Sequence, residues 1–291
     1  MNTRNFTPLL FSGLLVAAFA IQAKANIFSD NFDALAVAER AKAAPAELSK
    51  PTSYVAFDGG YIEAGDPIAG DEPPTADNVR QSLEAALASQ GFQASQTVPS
   101  LLITYHWGVL RVDHREINVP YKILTNLMAR ISLVSTAKME AEIENHILDR
   151  KKGGGEDLSV SSPRFLAGDL DAALSHSRQP RIFVVVSAYD FQSLFQKHEA
   201  RLVWSTKLST QETSGKMEQV IPPLLSKGSS FLGADSPNIA NIQATLEAKS
   251  TALGISAGTP PTPESYHIDR LYLDSLLRQE RAQISGEPNN P

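Results

Sequence analysis

Arg181-Ile182-Phe183-Val184-Val185-Val186-Ser187-Ala188-Tyr189-Asp190 decides the fold, together with Ala200-Arg201-Leu202-Val203-Trp204-Ser205-Thr206-Lys207-Leu208-Ser209 a short connection later. The first run is apolar on both faces: Ile182, Val184, Val186 and Ala188 point one way, Phe183, Val185 and Tyr189 the other. A short β-branched and aromatic run without a polar face suits a strand covered on both sides of a sheet. The second run alternates, with Leu202, Trp204, Thr206 and Leu208 on one face and Arg201, Ser205, Lys207 and Ser209 on the other. That is the pattern of a half-wet strand.

Upstream, Ser100 to Leu110 is a further strand with Leu101, Ile103, Tyr105 and Trp107 on one face and His106 opposite. Thr52 to Phe57 is an earlier strand stopped by Gly59-Gly60, and Phe92 to Thr97 a short edge strand. Between them Thr75 caps a helix whose Val79, Leu83, Ala86 and Leu87 recur at helical spacing and which ends at Gly91. Tyr121 to Leu148 reads as one long helix with a bend near Ser132 to Thr136, where hydroxyls compete for backbone bonds. Shorter helices are expected at Pro163 to His176 and, despite Pro222-Pro223, at Lys216 to Ser226. Residues Asp33 to Lys42 suggest a short helix in an Ala-rich lead-in.

Beyond Gly233 one amphipathic run (Ile239, Ile242, Leu246, Leu253) and a second (Ile268, Leu271, Tyr272, Leu276) flank Pro260 to Pro263. Tyr266 to Gln283 is therefore a separate helix whose apolar arc is too wide for water, so it packs on the domain or on a partner. Arg278, Glu280 and Arg281 are expected to keep its far end solvated, and Ser285 to Pro291 to fray. The expected fold is α+β: a mixed four- or five-stranded sheet, helices mainly on one face, a long inserted helix and C-terminal helical extensions. The domain scheme is a signal peptide over 1–25, a lead-in over 26–51, an α+β domain over 52–232 with a helical insertion at 118–177, and a C-terminal helical extension over 233–291.

Arg4, the apolar run Leu9 to Ile21 and Ala23-Lys24-Ala25 have the order of a signal peptide: positive start, short apolar core, small-x-small cleavage site. The apolar run is too short to span a bilayer, which takes about 20 residues. Cleavage would leave Asn26 first and remove two cations and no acid, moving the formal charge from -6 to -8. That acidity argues against nucleic acid or an anionic membrane surface as partner. No second segment reaches membrane-spanning length. With no cysteine there is neither a disulfide framework nor a site for a lipid anchor.

Four pieces together resemble a family of uncharacterised bacterial envelope proteins, many of them lipoproteins, that carry a domain of unknown function. They are the Tyr-x-x-Phe strand at Tyr54 to Phe57, the helix ending in Gly plus an aromatic at Ser82 to Phe92, the Leu-Leu-Ile-x-Tyr strand at Leu101 to Tyr105, and the pair from Ile182 to Trp204 with its Leu-Val-Trp. The likeness covers 52–232 less the stretch between Asn118 and Ser177. It implies a small sheet with helices on one face, in the cell envelope, and no assigned activity. This chain departs from the family in lacking the lipobox cysteine.

No catalytic motif survives its context. Gly254-Ile255-Ser256-Ala257-Gly258 has the G-x-S-x-G form, but a helical run precedes it and Thr-Pro-Pro-Thr-Pro follows, where a nucleophile elbow needs strand then helix. His267 and Asp269 also follow it in the wrong order for that fold. The six histidines (106, 114, 146, 176, 198 and 267) show no H-E-x-x-H pair. His106 and His114, with Asp113 or Glu116, are the candidate acid–base or metal group. Asp58, Glu63, Asp66, Asp71 and Glu72 lie on one Gly/Pro-rich loop and could suit calcium, though not at EF-hand spacing. Gly215-Lys216 lacks the rest of a P-loop, and Gly153 to Gly155 precedes two acids and reads as a linker.

The expectation is thus an exported, periplasmic or extracellular protein, a non-catalytic binding or structural module. Its partner would be an unknown envelope protein or small ligand, with no catalytic, metal or cofactor residue assigned and no membrane span after cleavage. The alternative is an exported hydrolase or metal-dependent enzyme using His106 and His114, or Ser256.

Overall fold

Strands β1 (Asn31–Arg40), β2 (Thr52–Ala64), β3 (Phe92–Ala94), β4 (Leu101–Leu110), β5 (Arg181–Asp190), β6 (Leu202–Gln211) and β7 (Ala240–Thr245) form one sheet in the order β3-β2-β4-β5-β6-β1-β7. This computed structural model describes residues 31–42, 44, 51–67, 72–112, 120–152, 168–212, 216–245, 262–266 and 268–286. The sheet is mixed: β2 runs parallel to β3 and β4, and every other neighbouring pair is antiparallel. Among the described residues it has seven strands where four or five were expected. The apolar run Ile182 to Tyr189 lies at its middle, in β5, and is buried throughout.

The two additional strands replace two expected helices. Asn31–Arg40 is β1, seated between β6 and β7 with Ala34 opposite Thr210 on one side and Ile242 on the other. Its Ala34, Ala36 and Ala38 face one side and Leu35 and Val37 the other, all buried. That period of two is satisfied by neighbours on both edges, and it overrides the helix preference of alanine. Ala240–Thr245 likewise joins the sheet as β7, burying Ile242 and Ala244 on one face.

Among the described residues seven helices lie on the two faces: α1 (Ala76–Ser89), α2 (Pro120–Leu133), α3 (Ala137–Lys152), α4 (Gly168–Ser177), α5 (Phe191–Lys197), α6 (Met217–Gly228) and α7 (Arg270–Ser285). Helices α1 and α6 cover Tyr54, Ile103, Tyr105, Val184, Val186 and Trp204. On the opposite face α2, α3 and α4 cover Leu110, Phe183 and Val185, while α5 and α7 cover Val55, Phe57, Leu102 and Tyr189. Both faces are thus covered, in three layers, and among the described residues five helices lie on one face against two on the other, so most do share one face as expected.

Three local features explain the element boundaries. Thr75 caps α1, its side chain accepting from Asn78 N at 3.3 Å. Helix α6 runs through Pro222 and Pro223 although both lack the N–H of a helix interior. Burial of Met217, Val220, Ile221, Leu224 and Leu225 outweighs the two missing bonds. The long helix breaks at 134–136 where a bend was expected, and the sheet caps both ends of the break. Lys207 Nζ donates to Ser132 O (2.8 Å) and Ser135 O (3.2 Å), and Glu39 Oε1 accepts from Ala137 N at 2.8 Å. A cation thus meets the carbonyl end of α2 and a carboxylate the amide end of α3, as the helix dipoles favour.

Candidate functional site

Helix α7 repeats Leu273, Leu276, Glu280 and Ile284 on the face it lays against β2 and β4, and all four are buried. Sequence reasoning placed Glu280 in water. Its spacing, four residues from Leu276 and four from Ile284, puts it on the apolar stripe instead. Oε1 accepts from Thr104 Oγ1 at 2.8 Å and from Tyr189 O–H at 2.7 Å, and Oε2 lies 3.2 Å from His106 Nε2. Two neighbouring strands therefore aim three donors at one carboxylate carried by a helix.

The strand pairing sets this geometry. Thr104 and His106 alternate on the α7-facing side of β4, and Thr104 lies opposite Ser187, two residues from Tyr189 on β5. The His106 ring packs where β2 carries a bulge between Asp58 and Gly60. A Cβ on Gly59 would sit inside that ring, so the glycine makes the room. His106 is 1% exposed, and its Nδ1 has no hydrogen-bond partner among the described residues. Burial, reinforced by Glu280, pushes the Tyr189 phenol above its ordinary value. Burial also raises the Asp58 carboxyl, against the opposing pull of the Gly60 N–H and of His106. Arg281, next on α7, donates to Tyr61 O at 2.9 Å and ties the helix to β2.

His114, Asp113, Glu116, Asp71, His267, Ser256 and the Gly254 to Gly258 motif lie outside the described residues, as do the Gly153 to Gly155 linker and residues 1–25. Of the pair His106 and His114, His106 is engaged with Glu280, a partner that spacing alone did not suggest. The expected acidic loop is not gathered: β2 runs on past Gly59-Gly60 and carries Asp58 and Glu63, of which Glu63 Oε1 pairs with Arg111 Nη1 at 2.5 Å and Asp58 Oδ1 accepts from Gly60 N at 2.6 Å. Among the described residues no group of three or more His, Asp and Glu is placed to hold a metal ion.

The sheet end beyond Leu110 is rich in buried cations. Burial lowers Arg111, but its pairs with Glu212 and Glu63 outweigh that and leave it raised. Arg181 and Arg130 are each lowered to about 10 by burial. Arg181 donates to Ser209, and Arg130 to Ser177 O, Arg111 O and Asn126. These bonds close turns and strand ends.

The opposite end exposes three large hydrophobic side chains among polar ones. Val98, Phe195 and Leu271 are 66%, 41% and 78% exposed, the large hydrophobic side chains most open to water among the described residues. Phe195 stacks on Phe191 with ring centroids 6.0 Å apart, and Phe191 N donates to Ser100 O, two residues from Val98. The His198 ring meets Tyr272, next to Leu271, at 5.7 Å. Tyr266 O–H reaches Ser95 O on the Val98 loop. Neighbours of the exposed side chains are thus tied together at this end of the sheet, near the start of α7.

No helix among the described residues is long and apolar enough to cross a membrane. No family model and no curated protein matches the chain. Among solved structures it is similar to a PDZ domain protein from Parabacteroides distasonis, at 10% identity and a TM-score of 0.36, over 75% of this chain and 40% of that one. It is also similar to the PelC dodecamer from Paraburkholderia phytofirmans in two crystal forms, one of a variant, each at 12% identity and a TM-score of 0.29. Those matches cover 69% and 68% of this chain and 99% of PelC. The chain thus spans less than half of the PDZ domain protein and nearly all of PelC, at scores too low to carry an argument.

Proposed function

We propose that the chain is an exported protein of the bacterial cell envelope, periplasmic or extracellular, and that it acts as a binding or structural module without catalysis. The leader-like residues 1–25 support export. The observation that carries the binding role is the exposure of Val98, Phe195 and Leu271 at the same end of the sheet, where a partner could cover them. The buried acid–base group supports the same reading: Thr104, Tyr189 and His106 Nε2 are each engaged by Glu280, beneath the surface.

The test has two arms on the full chain. Cell fractionation with N-terminal sequencing should find the protein in the envelope fraction beginning at Asn26; retention in the cytoplasm with residues 1–25 attached overturns export. A photocrosslinker at Leu271 should give discrete adducts in that fraction, lost in Phe195→Asp with the melting temperature unchanged. Labelling of Ser256 by a fluorophosphonate, or stoichiometric zinc in the purified protein, would replace the binding module with an enzyme.

A further inference from the structure

We propose that the outer edge of β7 is an interface with a second copy of this chain, the two β7 strands pairing antiparallel about a two-fold axis near Ile242. This goes beyond the surface at Val98, Phe195 and Leu271, since α7 lies over β2 and β4 and β7 ends the sheet at its other margin.

The register of β1 shows which backbone groups of β7 are open. Ser236 N donates to Ala38 O at 2.8 Å on the β7 side of β1, whereas Ala41 N donates to Val203 O at 3.0 Å on the β6 side. Even-numbered residues of β1 therefore turn their N–H and C=O toward β7, where Ala34 lies opposite Ile242 and Ala36 opposite Ala240. Ala240, Ile242 and Ala244 spend their backbone groups on β1, and those of Asn241 and Gln243 point outward. Among the described residues no strand lies beyond β7, and no hydrogen bond reaches the backbone of Asn241 or Gln243. Both residues are exposed.

The two margins of the sheet differ. At the other one β3 is three residues long, β2 bulges between Asp58 and Gly60 and exposes Asp58 and Glu63, and Arg281 covers Tyr61 O at 2.9 Å. Those are devices that keep an edge from pairing. Ala240–Thr245 has no charge, no proline and no bulge. The strand is also self-complementary. A two-fold axis at Ile242 sets Asn241 opposite Gln243 of the second copy, so the outward N–H and C=O groups of each copy satisfy those of the other. Amide then faces amide on one side of the sheet. On the other, Ile242 meets its own copy and extends the apolar cluster beneath α6. Gln243 gives its Nε2 to Asp33 at 2.5 Å and keeps its carbonyl oxygen for the facing asparagine. An uncharged strand meets no like charge in its copy, the clash that a symmetric pair must avoid.

In sedimentation the purified chain should reach twice the monomer mass as its concentration rises. Gln243→Pro removes an outward N–H and leaves the bonds to β1 in place, so it should sediment as a monomer with its circular dichroism unchanged. Gln243→Lys serves where the proline variant fails to fold: it should weaken the dimer at low salt and recover it as salt rises. The chain has no cysteine, so introduced ones report the register. Facing residues of such a pair stand about 5.5 Å apart at Cα, within disulfide reach. Asn241→Cys mixed with Gln243→Cys should therefore link under oxidation faster than either variant alone. A monomer at every concentration, or a dimer indifferent to both changes at Gln243, overturns the interface. Faster linkage of like variants than of the mixture overturns the two-fold register.

Discussion

His106 on β4 and Glu280 on α7 bring Nε2 and Oε2 within 3.2 Å although 174 residues separate them in the chain. The ring can reach that position because Gly59 on the neighbouring strand has no side chain. Gly59→Ala should therefore overpack the site and cost about 1–3 kcal/mol. In a double-mutant cycle with His106→Ala, the pair should cost less than the sum of the two single changes, since removing the ring relieves the clash. Urea denaturation measures each corner, and strict additivity would show that ring and glycine do not meet.

Helix α7 offers an internal contrast. Leu273 is 2% exposed and Leu276 7%, against 78% for Leu271 on the same helix. Leu273→Ala should cost about 2–5 kcal/mol in chemical denaturation, whereas Leu271→Ala should stay within about 0.5 kcal/mol of wild type. Similar losses at both positions would mean that α7 is docked through a different face.

Lys207 carries a pH signature. Burial is the largest influence on its ammonium and lowers its pKa, with Glu140 and Glu39 pulling the other way. A lysine whose folded pKa lies below the unfolded value of about 10.4 contributes stability that is present above that value and lost as pH falls through the folded one. The gap in melting temperature between wild type and Lys207→Met should therefore move in favour of the wild type as pH rises from neutral toward about 10. Thermal scans across that range decide it, and a gap that is flat or moves the other way refutes the assignment.

Pro222 is half-buried in α6 and denies the Glu218 carbonyl its helical partner. Pro222→Ala supplies the missing N–H at the expense of a more flexible unfolded chain, and the first effect should win by about 1 kcal/mol. A lowered denaturation midpoint would mean that the ring itself packs against the sheet.

Strand β5 was legible because its run from Ile182 to Val186 is apolar and largely β-branched on both faces, and β4 because Leu101, Ile103, Tyr105 and Trp107 recur at a period of two. Strand β1 was not. Its alternation is written in Ala34, Ala36 and Ala38 against Leu35 and Val37, and small residues on one face look like helix formers until two neighbouring strands take up both edges. Strand β7 is too short, with Ile242 and Ala244 its only buried apolar residues. His106 stood out as a lone polar group on an apolar strand, but its partner could not be found by spacing within one element. Glu280 had left a trace nonetheless. It continues the four-residue step of Leu276 and Ile284, and a carboxylate on an apolar stripe calls for buried donors opposite.

The place of β1 bears on when the sheet can close. Ala34 emerges early in synthesis, yet its partner Thr210 follows about 175 residues later and Ile242 later still. Until β6 is made the first strand has nothing to pair with, and closing so long a loop is a slow step. The nascent chain is thereby kept from assembling its full sheet while it is still being extended. If the chain is exported as proposed, it would still be open when it crosses, and the last helix, with Glu280, is made only after every strand.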